Sequence, residues 1–429
     1  MKTNIKEVNS YTRELSVEVN WDILENEFRK SFKKFRANYS IPGFRKGHVP
    51  EKMIRNKYIG SIEADFAQDS LNDYYRKALI ELNINPINQA EINHLEFKEG
   101  NNLKFTAKFE VTPNIKLPNY KKKIKVKAVR IQQTDTDLDN AMLELQKKHG
   151  NIKTVMDGAR NGHYIQGDFQ EIDDSGIPLI GKKYDKQYIC LGEGVFSGPG
   201  VLQLEGIKSD EKAKVTIDYG QGKKVNYEIS VHRVEEQILP KLDDEFAKTT
   251  DKSIKSLNEL KEKLIESIKA SLDREFSKQV EQLISNYLVE KTKIDVPESM
   301  RENYFKNILE ELKQKNGSSE SIKEDEVRKA YNDAANWNIR WFLIRNQLIT
   351  ENGFNAVDED IKKKIEMATG NSKLPIAQVK SFYKKPENRT KLEDDIVNEK
   401  LFTHLNEFVT IKETNKTTDE IRKEKSQNG

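Results

Sequence analysis

The sequence predicts an α+β multidomain protein: an α+β head, a small β-rich domain inserted behind it, and an extended, all-helical C-terminal domain. Three observations carry that prediction. Residues 3–20 and 91–112 alternate apolar and polar side chains around two helical patterns. From Gly150 to about Glu236 glycines cluster and turn signals recur. From Leu257 to Tyr287, apolar residues return every three or four positions without a break.

The head begins with the alternating segment 3–20, read as a strand, followed by a helix over 22–36. That helix places Phe28, Phe32 and Phe35 on one face. A second helical pattern covers 50–83, and 91–112 reads as a hairpin around Gly100-Asn101-Asn102. Pro113 and Pro118 mark a connector; 121–131 alternates like a strand, and Thr134 to Asp137 caps a helix ending at His149. The lysines of 121–127 are expected to be a solvated edge. The β-rich stretch has turns at Asp173–Gly176, Gly192–Gly194 and Gly220–Gly222. Beyond it, Asp295-Val296-Pro297 ends one long helix and opens another that stops at Asn316-Gly317. A further helix spans 325–351 and ends at Gly353, with shorter ones to about 410. Trp337, Trp341 and Phe342 are assigned to the core of this part. Thr414 to Gly429 is polar and charged and is expected to be disordered. The expected domains are 1–115, a connector 116–149, 150–236, 237–412 and a tail 413–429.

Residues 43–50, Gly-Phe-Arg-Lys-Gly-His-Val-Pro, hold an aromatic and two cations between glycines and close on a proline. Glycines permit backbone angles that other residues resist, and Pro50 stiffens the exit. The expected product is a loop tip presenting Phe44, Arg45 and Lys46 outward. Charge supports a binding role. Residues 1–60 hold thirteen Lys/Arg against seven Asp/Glu, a balance of +6, whereas the whole chain is +3. Basic charge is therefore concentrated around the tip, which suggests an anionic partner, nucleic acid first. An anionic membrane is not favoured, because no helix is apolar enough to anchor in one.

The stretch IPGFRKGHVPEKMIRNKY resembles the ribosome-docking signature of the bacterial trigger factor family. The similarity extends to SIEADFAQDSLNDYYRKAL, to Ile84-Asn85-Pro86 and to FEVTPNIKLPNY, and it is dense over residues 1–150. The resemblance implies that Phe44, Arg45 and Lys46 touch a ribosomal protein and ribosomal RNA at the exit site of the large subunit. Gly43, Gly47 and Pro50 belong to the same motif. It also implies that nascent and unfolded polypeptides are the clients, held between two helical arms. A homodimer away from the ribosome is left open.

The same resemblance places an FKBP-like prolyl isomerase at 150–236, on the segment LGEGVFSGPGVLQLEGI. Such a site lowers the barrier to amide rotation, roughly 18–20 kcal/mol, with an apolar, aromatic-walled pocket and no nucleophile. Phe169 stands at the first aromatic position. The usual aromatic–acid pair falls at Leu179 and Ile180, so its acid is missing, and the floor aromatic is Leu202. Val195 and Phe196 remain to line a groove. A second register places Tyr184-Asp185 at the pair instead. The pocket therefore reads as degenerate.

Other chemistry is poorly supported. The six histidines show no metal-ligand spacing, no phosphate loop with a following Lys-Ser/Thr occurs, and neither metal nor cofactor is expected. The single cysteine, Cys190, fits a reducing compartment, and without a signal-like N-terminus a cytoplasmic location is expected. A binder of unfolded chains needs scattered, adaptable apolar side chains. Candidates are Met300, Tyr304, Phe305 and Ile308, with Met367, Ile376, Val379, Phe382 and Tyr383. The favoured function is an ATP-independent, ribosome-associated chaperone; the alternatives are a prolyl isomerase acting as a folding enzyme, and a general RNA binder using residues 28–57.

Overall fold

A computed structural model describes residues 1–39, 44–122, 124–220, 223–316, 323–371 and 375–428. It is a multidomain α+β fold. The chain divides into two units, Met1–Lys127 with Gln279–Lys412, and Ala128–Lys278 with Glu413–Gly429.

In the first unit, β1 (Lys2–Glu7), β2 (Thr12–Val19), β3 (Glu91–Glu96) and β4 (Leu103–Glu110) form an antiparallel sheet in the order β1-β2-β4-β3. The single strand expected over 3–20 is thus a hairpin. Its turn uses no glycine: the Asn9 side chain accepts from the backbone N–H of Tyr11 and Thr12 at 3.0 and 2.7 Å, beside a backbone bond from the Val8 N–H to the Thr12 carbonyl at 3.0 Å. Strict alternation along β4 buries Leu103, Phe105, Ala107 and Phe109 on one face. Two helices, α1 (Trp21–Asn38) and α2 (Glu51–Glu81), contribute Leu24, Phe28, Phe32, Ile54, Ile62 and Phe66 to the same core. Phe28 packs edge-on to Trp21 and Phe66 with ring centroids 5.8 and 5.2 Å apart.

The strand β5 (Ile124–Gln132) belongs to both units and, in the second, leads to α3 (Asp135–His149), where the Thr134 N–H donates to Asp137 at 2.8 Å. Then come β6 (Asn151–Thr154), β7 (Tyr164–Ile172), β8 (Pro178–Cys190), β9 (Lys212–Asp218) and β10 (Lys224–Ile238). The sheet runs β6-β10-β7-β8, and β9 also pairs with β10. Its core gathers Ile165, Phe169, Leu204, Ile217, Ile229 and Val234. A short helix α4 (Asp244–Thr250), capped by Asp243 accepting from the Phe246 N–H at 2.9 Å, packs Phe246 and Ala247 against Met142 of α3.

The long apolar stripe forms α5 (Leu257–Lys291), which belongs to both units. Beyond it, α6 (Glu298–Asn316) and α7 (Glu324–Asn352) are tied by Arg328, which grips Glu302 at 2.6 and 2.7 Å and lies 5.1 Å from the Phe305 ring centroid. Arg340 of α7 donates to the carbonyls of Val289 and Thr292, at the C-terminal end of α5, at 2.7 and 2.6 Å. There follow α8 (Asp358–Asn371), α9 (Ile376–Lys384) and α10 (Pro386–Asn406). The core of α7 is Ala335, Ile339, Leu343, Ile344 and Leu348; of the three aromatics assigned to it from sequence, Trp337 and Trp341 are half-buried and Phe342 is exposed, because helical spacing sets a side chain's direction but not what covers it.

The C-terminal region is not all helical, and its last residues are not unstructured. Val409–Thr417 forms β11, paired with β5, and Thr418–Asn428 forms α11. Polar composition suggested disorder, but a distant carboxylate supplies the order. Asp137, buried in α3, accepts from the Thr418 hydroxyl at 2.5 Å and from Arg422. Arg130 adds bonds to Glu413 and Asp273 at 2.8 and 2.9 Å and stacks over Phe276 at 3.8 Å. Gly317 and Gln221-Gly222, named above as turns, lie outside the described residues.

Candidate functional site

The tip between α1 and α2 is built on an anchored base. Phe35 stacks on Tyr39 at 5.0 Å, and Tyr39 meets Tyr58 of α2 at 4.6 Å. Val49 is fully buried, and its carbonyl accepts from Arg36 Nε at 3.0 Å. Arg55 lies 4.5 Å over the Phe32 ring while bonding Glu51 at 2.9 Å and Glu99. The Gly47 N–H donates to the Tyr39 carbonyl at 3.3 Å and the His48 N–H to the Arg45 carbonyl at 2.9 Å, so the chain turns tightly back on itself. Gly47 has φ +80°, a conformation that a side chain disfavours. Pro50 then precedes the first turn of α2 and accepts from the Met53 and Ile54 N–H groups.

On that base stand Phe44, 38% exposed, and the exposed Arg45 and Lys46. Among the described residues, no acidic group lies within ion-pair distance of Arg45 or Lys46. A ring left in water beside two uncompensated cations can place an apolar plug in a partner while neutralising anionic groups. Gly43 lies outside the described residues.

The candidate client residues separate by burial. Phe305 is buried beneath Arg328, so it is core and not presented. Met300 and Tyr304 are half-buried against Ile115, Ile339 and Leu343, and Ile308 is half-buried. Val379 is buried and Tyr383 packs on Ile361, Leu392 and Ile396. Met367, Ile376 and Phe382 remain in water, 64%, 57% and 54% exposed. Spacing alone could not separate these groups, because a core stripe and a presented stripe have the same period.

In the second unit a cavity of about 540 Å³ opens over the sheet. Phe169 and Phe196 line it as expected, with ring centroids 6.0 Å apart. Leu179, Ile180, Val195 and Leu202 are exposed and do not line it. For Leu179 and Ile180 the cause is register. The hairpin turn at Asp173–Gly176 and an irregularity between Gln170 and Ile172 put Ile172 opposite Pro178 and Phe169 opposite Tyr184. Leu179 and Ile180 therefore fall at the hairpin tip, while Tyr184 lines the pocket and Asp185, its partner in the second register, does not. Tyr188, Tyr219 and Tyr227, not anticipated from sequence, complete the aromatic wall, and the Tyr219 and Tyr227 hydroxyls bond at 3.1 Å.

The pocket's acid is Glu171. It is buried, and its two oxygens accept from Lys182 Nζ at 2.7 Å and the Tyr184 hydroxyl at 3.2 Å. The Lys182 bond holds its carboxyl below the usual range against the opposing effect of burial. Burial, then the Tyr219 hydrogen bond, push the Tyr227 phenol up. Asp168, bonded by the Lys186 N–H, His232 and Lys183, lies far below its ordinary value and outside the pocket lining. Burial raises the Cys190 thiol. The pocket offers rings and hydrogen bonds but no activated nucleophile. Among the described residues no His/Cys/Asp/Glu group could hold a metal ion, and no helix is long and apolar enough to cross a membrane.

Comparison with known proteins agrees across the chain. A family model described as bacterial trigger factor protein matches residues 1–145, and one for the trigger factor C-terminus matches 256–407. The trigger factor of Geobacillus kaustophilus is 29% identical over 86% of this chain and 90% of its own. That of Clostridium tetani is 28% identical over 94% and 97%. A solved chain described as "Promiscuous Substrate Recognition in Folding and Assembly Activities of the Trigger Factor Chaperone" is 20% identical, covers 94% of this chain and 99% of its own, and superposes with a TM-score of 0.54, a likeness of fold. With both ends matched by models of one family and full-length relatives in several bacteria, the chain belongs to the trigger factor family and is a chaperone.

Proposed function

We propose that this chaperone docks at the exit site of the large ribosomal subunit through Phe44, Arg45 and Lys46, with Gly47 and Pro50 shaping the tip, and shelters emerging polypeptide on its helical region. The observation that carries the reading is the exposed ring with two unpaired cations, held on a buried base. Arg and Lys neutralise phosphate, and Arg adds a planar fork suited to it. The shielding role falls to Met367, Ile376 and Phe382, joined by the half-buried Met300, Tyr304 and Ile308 as neighbours shift. Residues 1–115 would serve as the docking head, 116–149 as the connector, 150–236 as an accessory peptide site and 237–412 as the client-holding body. A cytoplasmic site of action follows from ribosome docking. Early shelter matters because incomplete chains expose apolar surface before they can bury it.

The test is co-sedimentation with ribosomes across a salt series, comparing the native chain with Phe44→Ala/Arg45→Ala/Lys46→Ala. The native chain pellets with large subunits, with a salt slope that loses about one unit for each phosphate contact removed. Equal pelleting of both chains, or of neither, overturns the docking assignment. The aromatic pocket supports a secondary reading: it takes in a proline or another apolar side chain of an extended client, and prolyl rotation is a lesser activity of that site. Loss of peptide binding in Phe196→Ala is the expected result.

A further inference from the structure

We propose that the aromatic pocket of the second unit selects client segments that carry an aspartate or glutamate beside the proline or apolar residue it takes in, and that Lys223 is the selecting group. The proposal rests on the reading of this pocket as a peptide site.

Three charged side chains line the pocket: Glu171, Lys182 and Lys223. Two of them are committed to each other. Glu171 has Lys182 on Oε2 at 2.7 Å and Tyr184 on Oε1 at 3.2 Å, so a client cation would have to displace one of them from a buried carboxylate. Lys182 is likewise spent on Glu171. Lys223, which precedes β10, has no carboxylate within ion-pair distance among the described residues, while the adjacent Lys224 faces Asp218 at 3.9 Å. The Lys223 ammonium lies 5.9 Å from the Tyr219 ring centroid, which holds it on the aromatic rim.

Glu171 attracts Lys223 through space, but its charge is already balanced by Lys182 in direct contact, and the other neighbouring acids are held elsewhere. Asp168 is held by Lys183 at 3.3 Å, by His232 at 2.9 Å and by the Lys186 N–H at 2.9 Å. Asp185 is paired with Lys183 at 2.5 Å. The pocket lining therefore carries one uncompensated positive charge next to apolar walls. Geometry also suits an extended partner, since β8 ends the strand order and is exposed along nearly all its length. A peptide lying there with its apolar residue among Phe169, Phe196 and Tyr227 would bring a flanking carboxylate to Lys223. A flanking lysine would meet like charge.

The experiment measures anisotropy of three labelled peptides that share one proline and differ only in a flanking Glu, Gln or Lys, using the full chain. The Glu peptide should bind about two- to fivefold more tightly than the Lys peptide at low salt, with the gap shrinking as salt rises. Lys223→Gln should abolish the difference. Lys182→Gln/Lys223→Gln leaves the Glu171 carboxylate uncompensated and should invert the order. If the Gln peptide fails to bind, or binds Phe196→Ala undiminished, the pocket is not a peptide site and both readings fall. If it binds through Phe196 while the Glu and Lys peptides bind alike, only the selection by charge is overturned.

Discussion

Replacing Gly47 and Gly60 by alanine, one at a time, should move the head in opposite directions. Gly47 has φ +80°, and a Cβ there would approach the Ala37 carbonyl oxygen at 3.4 Å. Holding an L-residue in the left-handed region costs about 1–2 kcal/mol, with little relief available against a backbone atom. Gly60 lies inside α2, exposed, and a Cβ there would meet nothing within 4 Å. Alanine at that point gains about 0.5–1 kcal/mol from lost unfolded-state freedom. The two variants should thus differ by about 1.5–3 kcal/mol although the chemical change is the same. Hydrogen exchange of the full chain, read on peptides covering α1, the tip and the first half of α2, measures the local opening free energies. Gly47→Ala should speed exchange around Gly47 to Ile54, and Gly60→Ala should slow it within α2. Stabilisation by Gly47→Ala, or equal effects at both positions, would refute the tight-turn argument on which the presentation of Phe44 depends.

Two further outcomes follow. At Asp137, burial pushes the carboxyl up, but hydrogen bonds from Thr418, the Thr134 backbone and Arg422 outweigh it and leave the carboxyl below its ordinary value. The hold on α11 is therefore fully present above about pH 3.9 and lost as pH falls through the depressed folded-state value; Asp137→Asn should speed exchange in 418–428 about tenfold or more at neutral pH, and unchanged exchange would contradict the clasp. Phe305→Ala should cost about 3–5 kcal/mol in thermal melts, whereas the exposed Phe382→Ala should stay within about 0.5 kcal/mol yet weaken protection of a denatured client against aggregation. The reverse pattern would mean that Phe382 is not a client contact.

Much of the architecture was legible because burial imposes a period. Leu103, Phe105, Ala107 and Phe109 alternate, and the stripe from Leu257 runs at helical spacing, so both elements could be read directly. The tip was legible for a different reason: Gly47 permits a positive φ and Pro50 stiffens the exit, both local effects, so no distant partner was needed to foresee an exposed Phe44. Features set by long-range pairing were not legible. The pocket register depends on where β8 meets β7, and one irregularity moves Leu179 and Ile180 to the tip and Tyr184 to the wall. Likewise α11 depends on Asp137, about 280 positions earlier, and nothing in its own polar composition reveals that partner. Phe305 could not be told from Met367 because helix spacing identifies a face but not what covers it.

The most direct measurement of the docking claim places a photocrosslinking side chain at position 44 and, as a control, at the fully exposed position 180, and irradiates each chain with ribosomes. Docking through the tip predicts a strong product between position 44 and components of the large subunit, with little from position 180. Equal yields from the two positions, or products from 180 alone, would contradict it.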